Sequence, residues 1–465
     1  MPGGYRRRAE RSTRSSREPS GTDLADLKNS IQRFAAARPR SGRVALYAFC
    51  VALLALMSIR FVLLLPDTHI IQLNDFPPYH HAARAVLDGH SETLYRPDPR
   101  PYTNLPVVGV LLAPLGALDY EQAWRVFWWI NLASLIATLA MLLWALGRFF
   151  PPLTLPRATV AVSVFLAFAP VMRRCLVLGQ TTPLMLLLFA GFYVACRRGR
   201  PRLGGALLGA VCVFKIPPML LIPLLGLRRR LSVATAALAV LGSAVALSWI
   251  GFGGELMRQY TDRVILGNLG RAQAAFNNQS LDGMFMRLVT SRSLVDWVPV
   301  DRPADVTAAV WLGFAAIALL LAWRGRSFVW PDPPPDDVDA RGNTLEFELG
   351  LGVTLMLLVF PVIWIHYYLF LALPLALLPF WWQRRGLPWS WATLVLFGAG
   401  TWLASGFEVG ENAHYRTHEG EALFRALQSA RLVGALLLLI GFATALPGVA
   451  AAARAPSGDI DRAAR

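Results

Sequence analysis

The sequence predicts an all-α polytopic membrane protein, and three observations carry that expectation. Its 465 residues are 55% hydrophobic and only 16% charged, outside the ordinary soluble range. Apolar runs of about 18–25 residues, the length that crosses ~30 Å of hydrocarbon, recur along the chain. The basic residues behind the net charge of +16 gather between those runs rather than along one face. Membrane topology distributes charge in this way, so nucleic acid is not expected as a partner.

The apolar runs lie at 44–65, 122–146, 158–178, 231–251, 306–323, 345–365, 388–406 and 430–450, with shorter ones at 181–196 and 367–382. A further pair, 203–214 and 216–227, is too short for each member to cross comfortably alone. Together they predict ten to twelve crossings. Residues 1–43 hold eleven Arg or Lys against four acids and read as a disordered cytoplasmic tail. The run at 44–65 is long enough to remain as an anchor.

With the N-terminus inside, the clusters at 197–202, Arg228–Arg230, Arg324 and Arg326, and Arg384 and Arg385 all fall on the cytoplasmic side, as the positive-inside rule requires. Large loops at 66–121 and 252–305 then lie outside. The apolar stretch 105–118 in the first of them is too short to span and fits an interfacial or re-entrant helix. The linker at 324–344, with Pro333, Pro334, Pro335, Asp336 and Asp337, reads as an acidic cytoplasmic hinge. The C-terminal tail, 454–465, is cytoplasmic as well. Cys50, Cys175, Cys196 and Cys212 lie within or beside apolar runs without metal-ligand spacing and read as small core residues. No internal repeat is visible, which counts against an inverted-repeat transporter.

This topology gathers the unusual polar residues near the outer interface: Asp75, Arg173, Arg174, Gln180, Lys215, Asn278, Gln279, Arg287 and His366. Asp75 precedes Pro77-Pro78, where a helix is expected to begin, so it is either an N-cap or a carboxylate able to take a proton from a hydroxyl. Lys215 is one of two lysines against 43 arginines. It stands where Pro217 and Pro218 break a helix, as a snorkelling side chain or as a compact cation for a phosphate. Arg173 and Arg174 depart from the positive-inside pattern, as snorkellers or as bidentate phosphate ligands. His366, between Trp364 and Tyr367-Tyr368, is a structural residue of the aromatic belt or a partner in proton transfer or phosphate binding. Asn278-Gln279-Ser280 formally matches a glycosylation acceptor and carries little information.

The segments DFPPYHHAARAVLDGHSETLY (75–95), LLAPLGAL (111–118), GQTTPL (179–184), GGALLGAVCVFKIPPMLLIPLL (204–225), NNQSLDGMFMR (277–287) and HYYLFLALPLALL (366–378) occur in an order that resembles glycosyltransferase family 87. These are polytopic enzymes of GT-C architecture that take sugar from a polyprenyl phosphate. The resemblance implies Asp75 as catalytic base with His366 lining the site, and Lys215, Arg173 and Arg174 on the donor phosphate. Tyr79, Tyr95, Gln180, Asn278, Gln279 and Arg287 are then expected to line the substrate cleft. One departure stands in the first outer loop, where Tyr102-Thr103-Asn104-Leu105-Pro106 replaces the family's Tyr-Pro-Pro element.

The expected activity is transfer of a sugar, mannose foremost, from a polyprenyl phosphate to a hydroxyl of a glycolipid or glycan on the outer face. A polyprenyl-phosphate arabinofuranosyltransferase is the rival within the class, and a lipid-linked sugar flippase or secondary transporter the rival outside it. The outer loops carry no DxD pair, so neither a metal nor another cofactor is expected. The expected partners are the donor, the acceptor and membrane lipids.

Overall fold

A computed structural model describes residues 75–96, 102–268, 270–325, 344–387, 390–406, 417–418 and 420–454. The expected span at 44–65, the tail 1–43, linker residues 326–343 and residues 455–465 lie outside the described residues. The described chain is almost wholly helical. The sheet among the described residues is one antiparallel pair, β1 (Arg271–Ala272) and β2 (Val300–Asp301).

The chain is an all-α polytopic membrane protein. Helix α1 is Pro77–Leu87, followed by two short helices, α2 (Pro106–Leu111) and α3 (Ala113–Gly116), in the stretch expected to be interfacial or re-entrant. The long helices are α4 (Tyr120–Phe149), the bent pair α5 (Leu155–Ala167) and α6 (Ala169–Leu178), then α7 (Thr182–Arg197) and α8 (Pro201–Phe214). After a 3-10 turn at Pro217–Leu220 come α9 (Leu221–Leu227) and α10 (Leu231–Tyr260). Then follow α11 (Leu281–Val289), α12 (Ala304–Gly325), α13 (Leu345–Val359), a 3-10 segment Ile365–Leu371 running into α14 (Ala372–Arg384), α15 (Trp391–Gly406), α16 (Ala422–Leu427) and α17 (Ala430–Arg454).

Among the described residues, five helical stretches are long and apolar enough to cross a membrane, or six if α5 and α6, bent by 46°, make one span. The bend falls just before Pro170, which cannot donate a helical hydrogen bond. Helices α7, α8, α13 and α15 run 14–16 residues, or about 21–24 Å, short of a full bilayer. The expected 345–365 span ends at Val359, before Pro361. The second outer loop begins later than the expected residue 252, because α10 continues through a kink at Gly253 (φ 81°) to Tyr260 and one π turn, Thr261–Ile265.

Lipid tails are as apolar as leucine, so helix association in a bilayer depends on close van der Waals packing. Gly205 and Gly209, four apart on α8, let α10 approach to backbone contact. A Cβ at Gly205 would collide with the Val233 carbonyl oxygen, and one at Gly209 would lie 2.7 Å from that of Ala237. The stretch Ile365–Arg384 sits at the centre of the protein with 89% of its apolar window buried, whereas α12, with 17% buried, presents most of its surface to lipid.

Candidate active site

Three chain breaks bring the polar residues together. Helix α6 ends at Leu178 with Gly179 left-handed (φ 72°). The Gln180 N–H bonds the Cys175 carbonyl at 2.8 Å and the Gly179 N–H that of Leu176 at 3.4 Å. This is a Schellman cap, for which glycine pays no Cβ penalty. Gln180 is thereby held between this cap and the start of α7 at Thr182. The Asp75 N–H donates to the Leu178 carbonyl at 3.0 Å, fixing Asp75 beside the same turn. Asp75 is not an N-cap: Phe76 occupies that position on α1, with no side-chain cap bond. The third break follows α8, where Lys215 is extended (φ −139°, ψ 118°) ahead of the prolines.

At this junction Gln180 bridges two charged side chains. Its Nε2 donates to Asp75 Oδ2 at 2.6 Å, and its Oε1 accepts from Lys215 Nζ at 2.8 Å. The network fixes the amide orientation, because the reverse would set NH₂ against ammonium and oxygen against carboxylate. Lys215 is buried, 5.5 Å from the Tyr367 ring centroid and within electrostatic range of Asp75, Tyr79 and Tyr367. His366 is 5% exposed. Its ring lies 4.7 Å from that of Tyr367, within range of the charges of Lys215 and Arg174, and its Nε2 has no hydrogen-bond partner among the described residues. Arg174 reaches the same place with its guanidinium 5.3 Å over the Phe276 ring. Cys175, fully buried beside it, feels Lys215, Arg174 and Asp75 together. The hydroxyls of Thr181 and Thr182, at the start of α7, are also buried without a partner among the described residues.

The sequence-predicted residues therefore divide. Asp75, Tyr79, Arg174, Gln180, Lys215 and His366 converge. Arg173 is exposed on α6. Tyr95 lies in a separate aromatic cluster with Tyr102 and Tyr260, its ring 5.9 and 5.8 Å from theirs. Its hydroxyl donates to the Asn104 carbonyl at 2.6 Å, and burial pushes the Tyr95 and Tyr102 hydroxyls well above the usual phenol range.

Asn278, Gln279 and Arg287 build the wall behind His366. Asn278 pairs with Trp364 in an isolated bridge, and its Oδ1 accepts from Ile363 N–H at 3.0 Å. The Gln279 N–H donates to the Ile363 carbonyl, and its own carbonyl accepts from the Tyr368 hydroxyl. Arg287, 1% exposed, donates to the carbonyls of Ala275 and Asn278 and to Ser429 Oγ. Buried polar groups carry such bonds because leaving them unmade is expensive. Tyr367, which the sequence offered only as a belt aromatic, belongs with the converging group; its place beside His366 was the available signal.

A carboxylate, an ammonium, a guanidinium and an imidazole thus converge where α6 ends, α7 begins and α8 ends. A carboxylate there can take a proton, and clustered cations can stabilise an oxyanion. Among the described residues no group of three or more His, Cys, Asp or Glu could hold a metal ion.

The comparison with known families gives the class: the chain is a polytopic membrane glycosyltransferase. A sequence profile of glycosyltransferase family 87 matches residues 102–338, half of the chain, and the chain belongs to that family. The match takes in Arg174, Gln180 and Lys215, and is flanked by Asp75 and His366. None of the curated proteins compared with the chain matches it.

Proposed function

We propose that this glycosyltransferase moves a sugar, mannose foremost, from a polyprenyl phosphate to a hydroxyl of a glycolipid or glycan at the outer face of the membrane. Asp75 takes the proton of the acceptor hydroxyl. The acceptor oxygen forms a bond to the anomeric carbon while the bond from that carbon to the phosphate oxygen breaks. The phosphate leaves with the electron pair as polyprenyl phosphate. Lys215 and Arg174 stabilise the charge that develops on it, and His366 orients it or shares the proton. A single displacement of this kind inverts the anomeric carbon.

The observation that carries the reading is the linkage of Asp75 to the buried Lys215 through one amide, beside a His366 whose Nε2 has no hydrogen-bond partner among the described residues. An ammonium is costly to hold at membrane depth and marks a functional position there. The outward orientation is supported by the arginines at the far ends of the same helices: Arg197 closes α7 at the end opposite Gln180, and Arg200 and Arg202 flank the start of α8, opposite Lys215. The positive-inside rule assigns those ends to the cytoplasm. The isoprenoid chain of the donor then stays in lipid while its phosphate enters the cluster.

The test is incubation of purified protein with radiolabelled polyprenyl-phosphate sugars, hexoses and arabinofuranose separately, and a membrane lipid extract. Label is expected to pass to an acceptor from the mannose donor, with the anomeric configuration inverted. Transfer from arabinofuranose alone replaces mannose by a pentose. Transfer from none of them overturns the donor class.

A further inference from the structure

We infer that Gln180 is a positioning residue whose two amide ends have separate tasks: Nε2 orients the Asp75 carboxylate and Oε1 holds the Lys215 ammonium. The inference rests on the reading of Asp75 as the base and of Lys215 as the cation for the donor phosphate. It goes beyond a substrate-lining role for Gln180, because both ends of the amide are already engaged within the protein.

The geometry supports it in three ways. Both bonds are short, 2.6 and 2.8 Å, and both involve an ion, the stronger kind of hydrogen bond. The glutamine is 5% exposed, so water does not compete freely for either end. Its backbone is locked by the Schellman cap at Gly179 and by the start of α7, so the side chain is carried on a fixed base. The Asp75 backbone is tied to the same turn through Leu178. The amide therefore sets the spacing between carboxylate and ammonium, and catalysis is sensitive to errors of about 1 Å in such spacing.

Cys175 on α6, Lys215 after α8 and Tyr367 on the 365–371 segment interact with Asp75, and Tyr79 on α1, Arg174 on α6 and His366 on the 365–371 segment join the cluster through these groups. Gln180 hydrogen-bonds both Asp75 and Lys215. A donor hydrogen bond to a carboxylate favours its ionised form, so losing the Nε2 end moves the acid limb of the pH–rate profile upward.

Two substitutions separate the ends. Gln180→Glu keeps an oxygen for Lys215 but loses the donor to Asp75 and adds a like charge. Gln180→Met keeps the reach and loses both bonds. For Gln180→Glu, the acid limb of kcat/KM with the active polyprenyl-phosphate sugar is expected to rise by about one pH unit or more. Its donor KM is expected to rise as well, because the added carboxylate competes with the donor phosphate for Lys215. For Gln180→Met, the limb rises and kcat falls by about 100-fold, the scale of a lost preorganised group.

Asp75→Asn is measured beside them, with thermal unfolding in detergent to establish that each variant is folded. If Asp75→Asn turns over at the wild-type rate, the reading of the site fails and the inference falls with it. If Asp75→Asn is inactive while folded Gln180→Glu and Gln180→Met keep the wild-type pH profile, the positioning role alone is overturned. Loss of activity in Gln180→Met with an unshifted acid limb also overturns it, since a merely structural residue would behave that way.

Discussion

Two polar clusters lie at opposite ends of helix α7 and handle charge differently. At one end Lys215 meets Asp75 through the neutral Gln180 amide, and His366 Nε2 is left without a partner among the described residues. At the other, carboxylates and guanidiniums meet directly. Glu348 accepts from Arg228 at 2.9 Å and Arg230 at 2.7 Å, while Glu346 accepts from the Tyr193 hydroxyl at 2.7 Å and lies 3.4 Å from Arg197. Helix α7 belongs to both: Thr182 opens it at the first cluster, and Tyr193 and Arg197 join the second about 17 and 23 Å further along the axis.

The difference separates a clamp from a site. In the Glu346–Glu348 cluster the acids find their opposite charges within the chain, and the result ties α7, α13 and the turn before α10 together. Arg197 Nε and Glu346 Oε2 in the clamp also lack hydrogen bonds among the described residues, but they face each other as opposite charges. In the Asp75–Lys215 cluster the atoms without a partner among the described residues are instead the neutral-capable His366 Nε2 and the Thr181 and Thr182 hydroxyls, groups that a ligand carrying negative charge and hydroxyls can use.

Substitutions in the two clusters should therefore fail in different ways. The largest effect is expected for Lys215→Met, which removes the ammonium without opening a cavity: kcat/KM for sugar transfer falls by about 10²–10³-fold, the cost of one preorganised electrostatic group. Thermal unfolding in detergent is expected to show that this variant stays folded, and a near-wild-type rate would break the comparison.

Glu348→Ala should do the reverse. It leaves Arg228 and Arg230 buried without their carboxylate and is expected to cost about 3–5 kcal/mol of stability, with the rate per folded molecule within about twofold of wild type. A large loss of rate at full stability would make the clamp part of the chemistry.

A finer division is expected between neighbours. Arg174→Gln lowers kcat/KM by about tenfold or more, the loss of one charge-assisted contact, whereas Arg173→Gln, on the exposed side of α6, stays within about twofold, as surface charges do. The smallest effect is expected from a chelator, which should leave the rate unchanged; loss of activity restored by one specific divalent cation would add a metal to the account.

Much of this was legible in the sequence because membranes constrain sequence severely. Apolar run length located most of the helices. Lys215 stood out by composition and Asp75 by its place before two prolines. What the sequence could not supply was the pairing of distant turns. Gln180 was visible as a polar residue at a helix junction, but its bridge spans 105 residues to Asp75 and 35 to Lys215, and no local pattern encodes that. For the same reason Asn278, Gln279 and Arg287 read as cleft residues, although their side chains serve carbonyls and neighbouring loops behind His366. The continuation of α10 past Gly253 was hidden too, since a glycine after an apolar run reads equally well as an end and as a kink.

The account stands most directly on Asp75→Asn, assayed as purified protein with a radiolabelled polyprenyl-phosphate sugar and an acceptor extract. The substitution keeps the size of the side chain and removes its ability to take a proton. Donor binding is expected to stay near wild type while turnover falls by about 10³-fold, within the range of general-base catalysis. Transfer at the wild-type rate would contradict it.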